Sequence, residues 1–201
     1  MKAFTRSVLA AAVALGAASA AHAIPFTGQL SGANEPTPTG SPATGSFLID
    51  LDVNAHTLRV STTFQNLTSA AQQAHVHCCT PQPLTGVAGV ATELPSFPGF
   101  PSGTSGTYDR TFNTLLAATY NPAFLTANGG TPASAEAALA AGINAGRAYL
   151  NIHTVNFPGG EVRDFLRPTT TGGGTVPEPA ILGLLAIGAA GLALRRRRAA
   201  A

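Results

Sequence analysis

Between residues 47 and 64 apolar and polar positions alternate with a period of two. Phe47, Ile49, Leu51 and Val53 are separated by Leu48, Asp50 and Asp52, the pattern of a strand with one buried face. Asn54-Ala55-His56 reads as a tight connection, after which Leu58, Val60, Thr62 and Phe64 alternate again. The two runs predict a hairpin whose core face carries Phe47, Ile49, Leu51, Val60 and Phe64. Shorter strands are expected at Phe26 to Leu30, Ala74 to Cys78, Val87 to Glu93, Thr107 to Phe112, Ala148 to His153 and Glu161 to Leu166. Helical signals are few. Ser134 to Ala141 is Ala-rich, with Ser134 as N-cap and Glu136 in the first turn, and Gly142 weakens its end. Asn121-Pro122 opens a second short turn of helix. Leu94 to Ser105 mixes prolines and glycines with aromatic residues, so an ordered loop is expected there. Many short strands with Gly/Pro-rich turns predict an all-β fold, an antiparallel Greek-key-like β-sandwich or barrel with one small helical insert.

The two ends follow a different logic. Lys2 and Arg6 precede a run of small and apolar residues from Ser7 to Ala21, and Ala21-His22-Ala23 supplies a small-x-small site. This is the layout of a secretory signal, cut by signal peptidase after Ala23 to leave Ile24 as the new N-terminus. At the other end, Gly172-Gly173-Gly174 leads to Pro177-Glu178-Pro179, then to 15 uncharged residues from Ala180 to Leu194, then to Arg195 to Arg198. A spanning helix wants about 20 apolar residues, so this C-terminal hydrophobic helix is short and needs its flanks. Arginines stay on the cytoplasmic side, which places the preceding domain outside. The expected organisation is a signal peptide (1–23), a β domain (24–168), a Thr/Gly-rich linker (169–176) and a membrane-sorting tail (177–201).

Removing the ends changes the charge balance. The whole chain carries a formal +2, but residues 24–176 hold five arginines against eight acidic residues and no lysine, a net −3. No basic stripe remains to neutralise phosphates, which argues against nucleic acid as a partner. About 150 residues suffice for one domain with one core.

Three ordered motifs lie in that domain. The first is Phe26-Thr27-Gly28-Gln29-Leu30-Ser31-Gly32-Ala33-Asn34-Glu35-Pro36, continuing to Ala43-Thr44-Gly45. The second is Ala74-His75-Val76-His77-Cys78-Cys79. The third is Tyr149-Leu150-Asn151-Ile152-His153-Thr154 with Phe157-Pro158-Gly159-Gly160-Glu161-Val162-Arg163. Together they resemble the CHRD family, the domain first recognised in chordin and common in exported bacterial proteins. The tail of triplet, apolar helix and arginine cluster resembles the PEP-CTERM sorting signal. That second resemblance implies cleavage near the triplet by an exosortase-type transpeptidase and release to the envelope or outer surface. Two departures stand out: Pro36-Thr37-Pro38 replaces a valine with paired prolines, and Asp164 stands where a glycine usually follows the Glu-x-Arg.

His75 and His77 are two apart on a predicted strand, so both side chains leave one face. With His153, and with Cys78 and Cys79 as soft thiolates, they form a candidate set of ligands for copper or zinc. The competing role for the histidines is hydrogen bonding to loop backbone, and for Glu161 and Arg163 a charge pair or loop clamp. The cysteines have three open states: metal ligands, a redox pair, or a vicinal disulfide, for which neighbouring Cα atoms about 3.8 Å apart fall short of the usual 4.4–6.8 Å. No phosphate loop, Ser-His-Asp arrangement or nucleophile elbow is recognisable. The expected role is a non-enzymatic binding or structural module at the cell surface, with an extracellular polysaccharide or protein as partner. A copper- or zinc-binding protein is the alternative, and an oxidoreductase on the same site a further one.

Overall fold

The computed structural model describes residues 25–169. The expected signal peptide, with Ala23, and the C-terminal hydrophobic helix lie outside the described residues. Eight strands form one sheet: β1 (Phe26–Ser31), β2 (Thr44–Asp52), β3 (Thr57–Gln65), β4 (Ala71–Cys78), β5 (Gly106–Asn113), β6 (Ala148–Thr154), β7 (Val162–Phe165) and β8 (Arg167–Pro168). Their spatial order is β4-β6-β7-β1-β2-β3-β5, with β8 also on β1, and the neighbouring strands pair antiparallel. The predicted hairpin is β2–β3, in register from Thr44↔Gln65 to Asp52↔Thr57. Its turn is held by Asp52 Oδ1, which accepts the N–H groups of Asn54 and Ala55 at 2.8 and 2.9 Å. Phe47, Ile49, Val60 and Phe64 are buried and Leu51 packs against them half-buried, while Val53 falls in the turn and is exposed. The chain then leaves β3 for the far end of the sheet as β4, returns beside β3 as β5, and fills the gap with β6 and β7.

A helical insert joins β5 to β6: α1 (Pro122–Ala127) and α2 (Pro132–Asn144). Asn121 caps α1 as expected, with Pro122 in the first turn. The expected start of α2 needs correcting. Thr131, not Ser134, is the N-cap; Pro132 occupies the first turn, and Thr131 and Ser134 close a reciprocal capping box. Three orphan N–H groups are thereby dealt with at once, one by the proline itself and two by the box. Ala135, Leu139 and Ile143 recur at helical spacing and enter the same core as Leu150, Ile152 and Val162.

The open side of the curled sheet is closed by the loop after residue 94. Phe97 donates its N–H to Ala74 O of β4 (3.2 Å), and its ring meets Tyr108 and Phe112 of β5 at 6.0 and 5.5 Å. Phe100 stacks on Phe64 at 5.4 Å. One Pro/Gly-rich strap thus covers both edge strands, which otherwise offer unpaired backbone to other chains. The expected strand at Val87 to Glu93 reduces to isolated bridges at Val90 and Thr92, which pair with His77 and Tyr120.

Every residue of β6 is buried. Ala148, Leu150 and Ile152 face the apolar core. Tyr149, Asn151 and His153 therefore point to the other face, where a second, polar layer lies under the loops.

Candidate metal centre

Alternation along β4 sends Ala74, Val76 and Cys78 into the core and His75 and His77 to the opposite face. The β4–β6 register sets His75 against Asn151, His77 against Tyr149 and Gln73 against His153. His153 thus lies diagonal to His75, within the reach of long side chains on neighbouring strands. The three imidazole centroids are 5.3, 5.6 and 5.8 Å apart, and one nitrogen of each lies within 4.8 Å of the others. The rings are enclosed: His75 is 1%, His77 7% and His153 8% exposed.

Each ring meets a backbone carbonyl. His75 Nε2 lies 2.6 Å from Pro95 O, His77 Nδ1 2.9 Å from Ala88 O, and His153 Nδ1 3.0 Å from Pro158 O. A carbonyl only accepts, so those three nitrogens carry the hydrogens. A neutral imidazole has one N–H, which assigns lone pairs to His75 Nδ1, His77 Nε2 and His153 Nε2. His77 Nε2 and His153 Nε2 approach to 3.4 Å with no hydrogen left to share. His75 Nδ1 is buried without a hydrogen-bond partner. Two of these lone pairs, on His77 and His153, face each other, and the third belongs to a ring with one nitrogen within 4.8 Å of theirs. Burial, more than anything else, holds the rings neutral: it pushes His75 and His77 down to about 4 and His153 below its ordinary value, against the carbonyls that favour protonation.

The strand face continues past the histidines. Tyr149 stacks on His77, with centroids 4.7 Å apart and planes 6° apart, and its hydroxyl donates to the Ala88 oxygen that also accepts from His77. Because β6 lies between β4 and β7, Arg163 covers Tyr149 from the other side, 4.6 Å from the ring centroid. Arg163 donates to Asn34 O and Gly86 O and faces Glu35 at 3.7 Å. Glu35 is raised to about 7 by burial, with Arg163 and Asn151 pulling the other way. Glu35 Oε1 and Asn151 Oδ1 are both buried without a partner of regular hydrogen-bond geometry. Tyr149, Asn151 and Glu35 were not among the sequence-derived site residues. The signal for two of them was present, because Tyr149, Asn151 and His153 alternate on one strand.

Glu161 and Arg163 do not pair with each other. The Glu161 carboxylate accepts from the hydroxyls of Ser41, Thr68 and Thr154 and from the Thr68 N–H, clamping three segments of the chain. Asp164 accepts the N–H groups of Gln29 and Phe165, which gives the side chain in the usual glycine position a backbone-capping role.

The five sequence-derived ligands divide. His75, His77 and His153 come together, whereas Cys78 and Cys79 are joined to each other by a disulfide across a cis peptide, their Cα atoms 3.0 Å apart. Cys78 faces the core, where Gly142 of α2 leaves the space that both sulfurs fill. A disulfide sulfur is no thiolate, so in this state the pair adds nothing to the histidine group.

The family model for the CHRD domain matches residues 26–166. The chain belongs to the CHRD family. The match spans β1 to β7, the helical insert and all three histidines. The model for the PEP-CTERM protein-sorting motif matches residues 175–198, including Pro177-Glu178-Pro179, the apolar run and the arginines. The CHRD domain is therefore carried by an exported chain sorted to the envelope or extracellular surface, with an exosortase-type enzyme as its processing partner. No curated protein and no solved structure matches it.

Proposed function

We propose that this CHRD protein is a surface-displayed, non-enzymatic metal-binding module that holds one copper or zinc ion through His75 Nδ1, His77 Nε2 and His153 Nε2. The observation that carries this reading is the orientation of the imidazoles. Each spends its single N–H on a backbone carbonyl; the freed Nε2 atoms of His77 and His153 face each other at 3.4 Å, and His75, one nitrogen of which lies within 4.8 Å of theirs, keeps a buried Nδ1 with no partner. Carbonyl partners on the remote nitrogens are the usual outer support of metal-bound histidines, fixing tautomer and ring angle. Buried lone pairs without donors are costly when left alone, and a cation is the partner that serves all three. The ligands are already neutral, so binding need not displace protons at pH 7. Calorimetric titration of the full chain in detergent tests it: copper or zinc uptake at one ion per chain is expected, lost in His77→Ala. A wild-type chain that takes up neither ion overturns the reading.

We further infer that the N-terminus matures by signal-peptidase cleavage after Ala23, and that the apolar run Ala180 to Leu194 holds the chain in the inner membrane until the tail is cut.

A further inference from the structure

Resting on the three-histidine reading above, we propose that the site selects monovalent copper over zinc. Coordination number is the first argument. Zinc in proteins is almost always four-coordinate, completing its shell with a fourth side chain or, in open sites, a water. Among the described residues no fourth His, Cys, Asp or Glu reaches the histidine group. Ala88, Pro95 and Pro158 roof the rings, which are at most 8% exposed. Copper(I), a monocation, accepts three imidazoles without a fourth ligand, and imidazole suits copper as well as zinc.

Charge is the second argument. All three ligands are neutral, so the ion's own charge is uncompensated in a buried setting, and that cost rises steeply from one charge to two. The neighbouring field adds to it. Arg163 lies over the Tyr149 ring that stacks on His77, and the Glu35 carboxylate faces Arg163 at 3.7 Å. A monocation suits this setting better than a dication.

Asn151 is the residue that decides the alternative. It stands directly across from His75, and its Oδ1 has no partner of regular hydrogen-bond geometry. Its amide, however, packs against Gly160, where Glu35 Oε1 also lies. Copper(I) leaves it there, whereas zinc recruits it as a fourth ligand.

The experiment is a competition on the full chain, purified in detergent with its disulfide intact. Copper(I) is supplied with ascorbate against bicinchoninate, and zinc against a chromophoric zinc chelator of matched affinity. Retention of one copper(I) per chain with zinc surrendered to the chelator is the expected result, together with a three-coordinate signature at the copper absorption edge. His153→Gln is expected to lose the copper while keeping the wild-type circular dichroism. Stoichiometric zinc with no retained copper(I), lost again in Asn151→Ala, overturns the selectivity but leaves the histidine site standing. Retention of neither ion overturns both.

Discussion

A histidine that is buried and neutral in the fold must take up a proton somewhere as the solution is acidified. His75 and His77 lie at about 4 and His153 below its ordinary 6.5, with burial as the main cause. Between about 4 and 6.5 the unfolded chain therefore binds more protons than the fold, so stability is full above 6.5 and is lost as pH falls through that window. Glu35 acts in the opposite sense. Its value is raised from 4.5 to about 7, so its contribution is full below 4.5 and fades as pH rises toward 7. Three groups outweigh one, and the metal-free protein, melted in chelator, is expected to unfold at a lower temperature at pH 5 than at pH 7. Glu35→Gln removes the opposing contribution and steepens that fall. A melting temperature flat between pH 5 and 7, or a shallower fall in Glu35→Gln, contradicts the buried-neutral assignment.

At the scale of elements, the strap and the helix each make a test. Phe64 is 3% exposed and stacks on Phe100 of the strap, so Phe64→Ala removes a ring from the core and the surface that holds the loop down. A cost of about 3–5 kcal/mol is expected in urea unfolding; an unchanged midpoint would show the hairpin register to be wrong. Gly142 sets two effects against each other. Alanine gains about 1 kcal/mol of helix propensity over glycine, but its Cβ would overlap both sulfurs of Cys78 and Cys79, and overpacking typically costs about 1–3 kcal/mol. Gly142→Ala is therefore expected to destabilise on balance, read as a lower melting temperature.

These elements also show where sequence patterning reaches its limit. The β2–β3 hairpin was legible because one face is wet and one dry, and such strands print a period of two. The strap was legible as a loop but not as a lid, since nothing local says which edges it bridges. For β6 the pattern was ambiguous, because both faces are buried and only the polarity of Tyr149, Asn151 and His153 marks the second layer. His75 and His77 were legible as a pair from their spacing, and His153 only through its motif. The state of the cysteines was not legible, because two adjacent thiols fit ligation, redox pairing and a vicinal disulfide alike. The start of α2 was misplaced because Ser134 and Thr131 both fit an N-cap, and Pro132 decides between them.

For the whole molecule, the domain and its tail carry separate claims. The sorting motif at residues 175–198 and the small-x-small site ending at Ala23 predict a surface form that starts at Ile24 and lacks Arg195 to Arg198. Intact-mass and terminal-peptide spectrometry of the surface fraction checks both ends. Arginines retained in that fraction would leave a plain membrane anchor.

The central claim is narrower: three particular nitrogens hold one ion. Nitrogen-15 spectra of the imidazoles, recorded on the full chain in detergent before and after one equivalent of copper(I) or zinc, read those nitrogens directly. His75 Nδ1, His77 Nε2 and His153 Nε2 are expected to shift together, while the N–H groups donated to Pro95, Ala88 and Pro158 stay protonated and in place. Unshifted resonances with both ions, or loss of the carbonyl-bonded hydrogens instead, would contradict it.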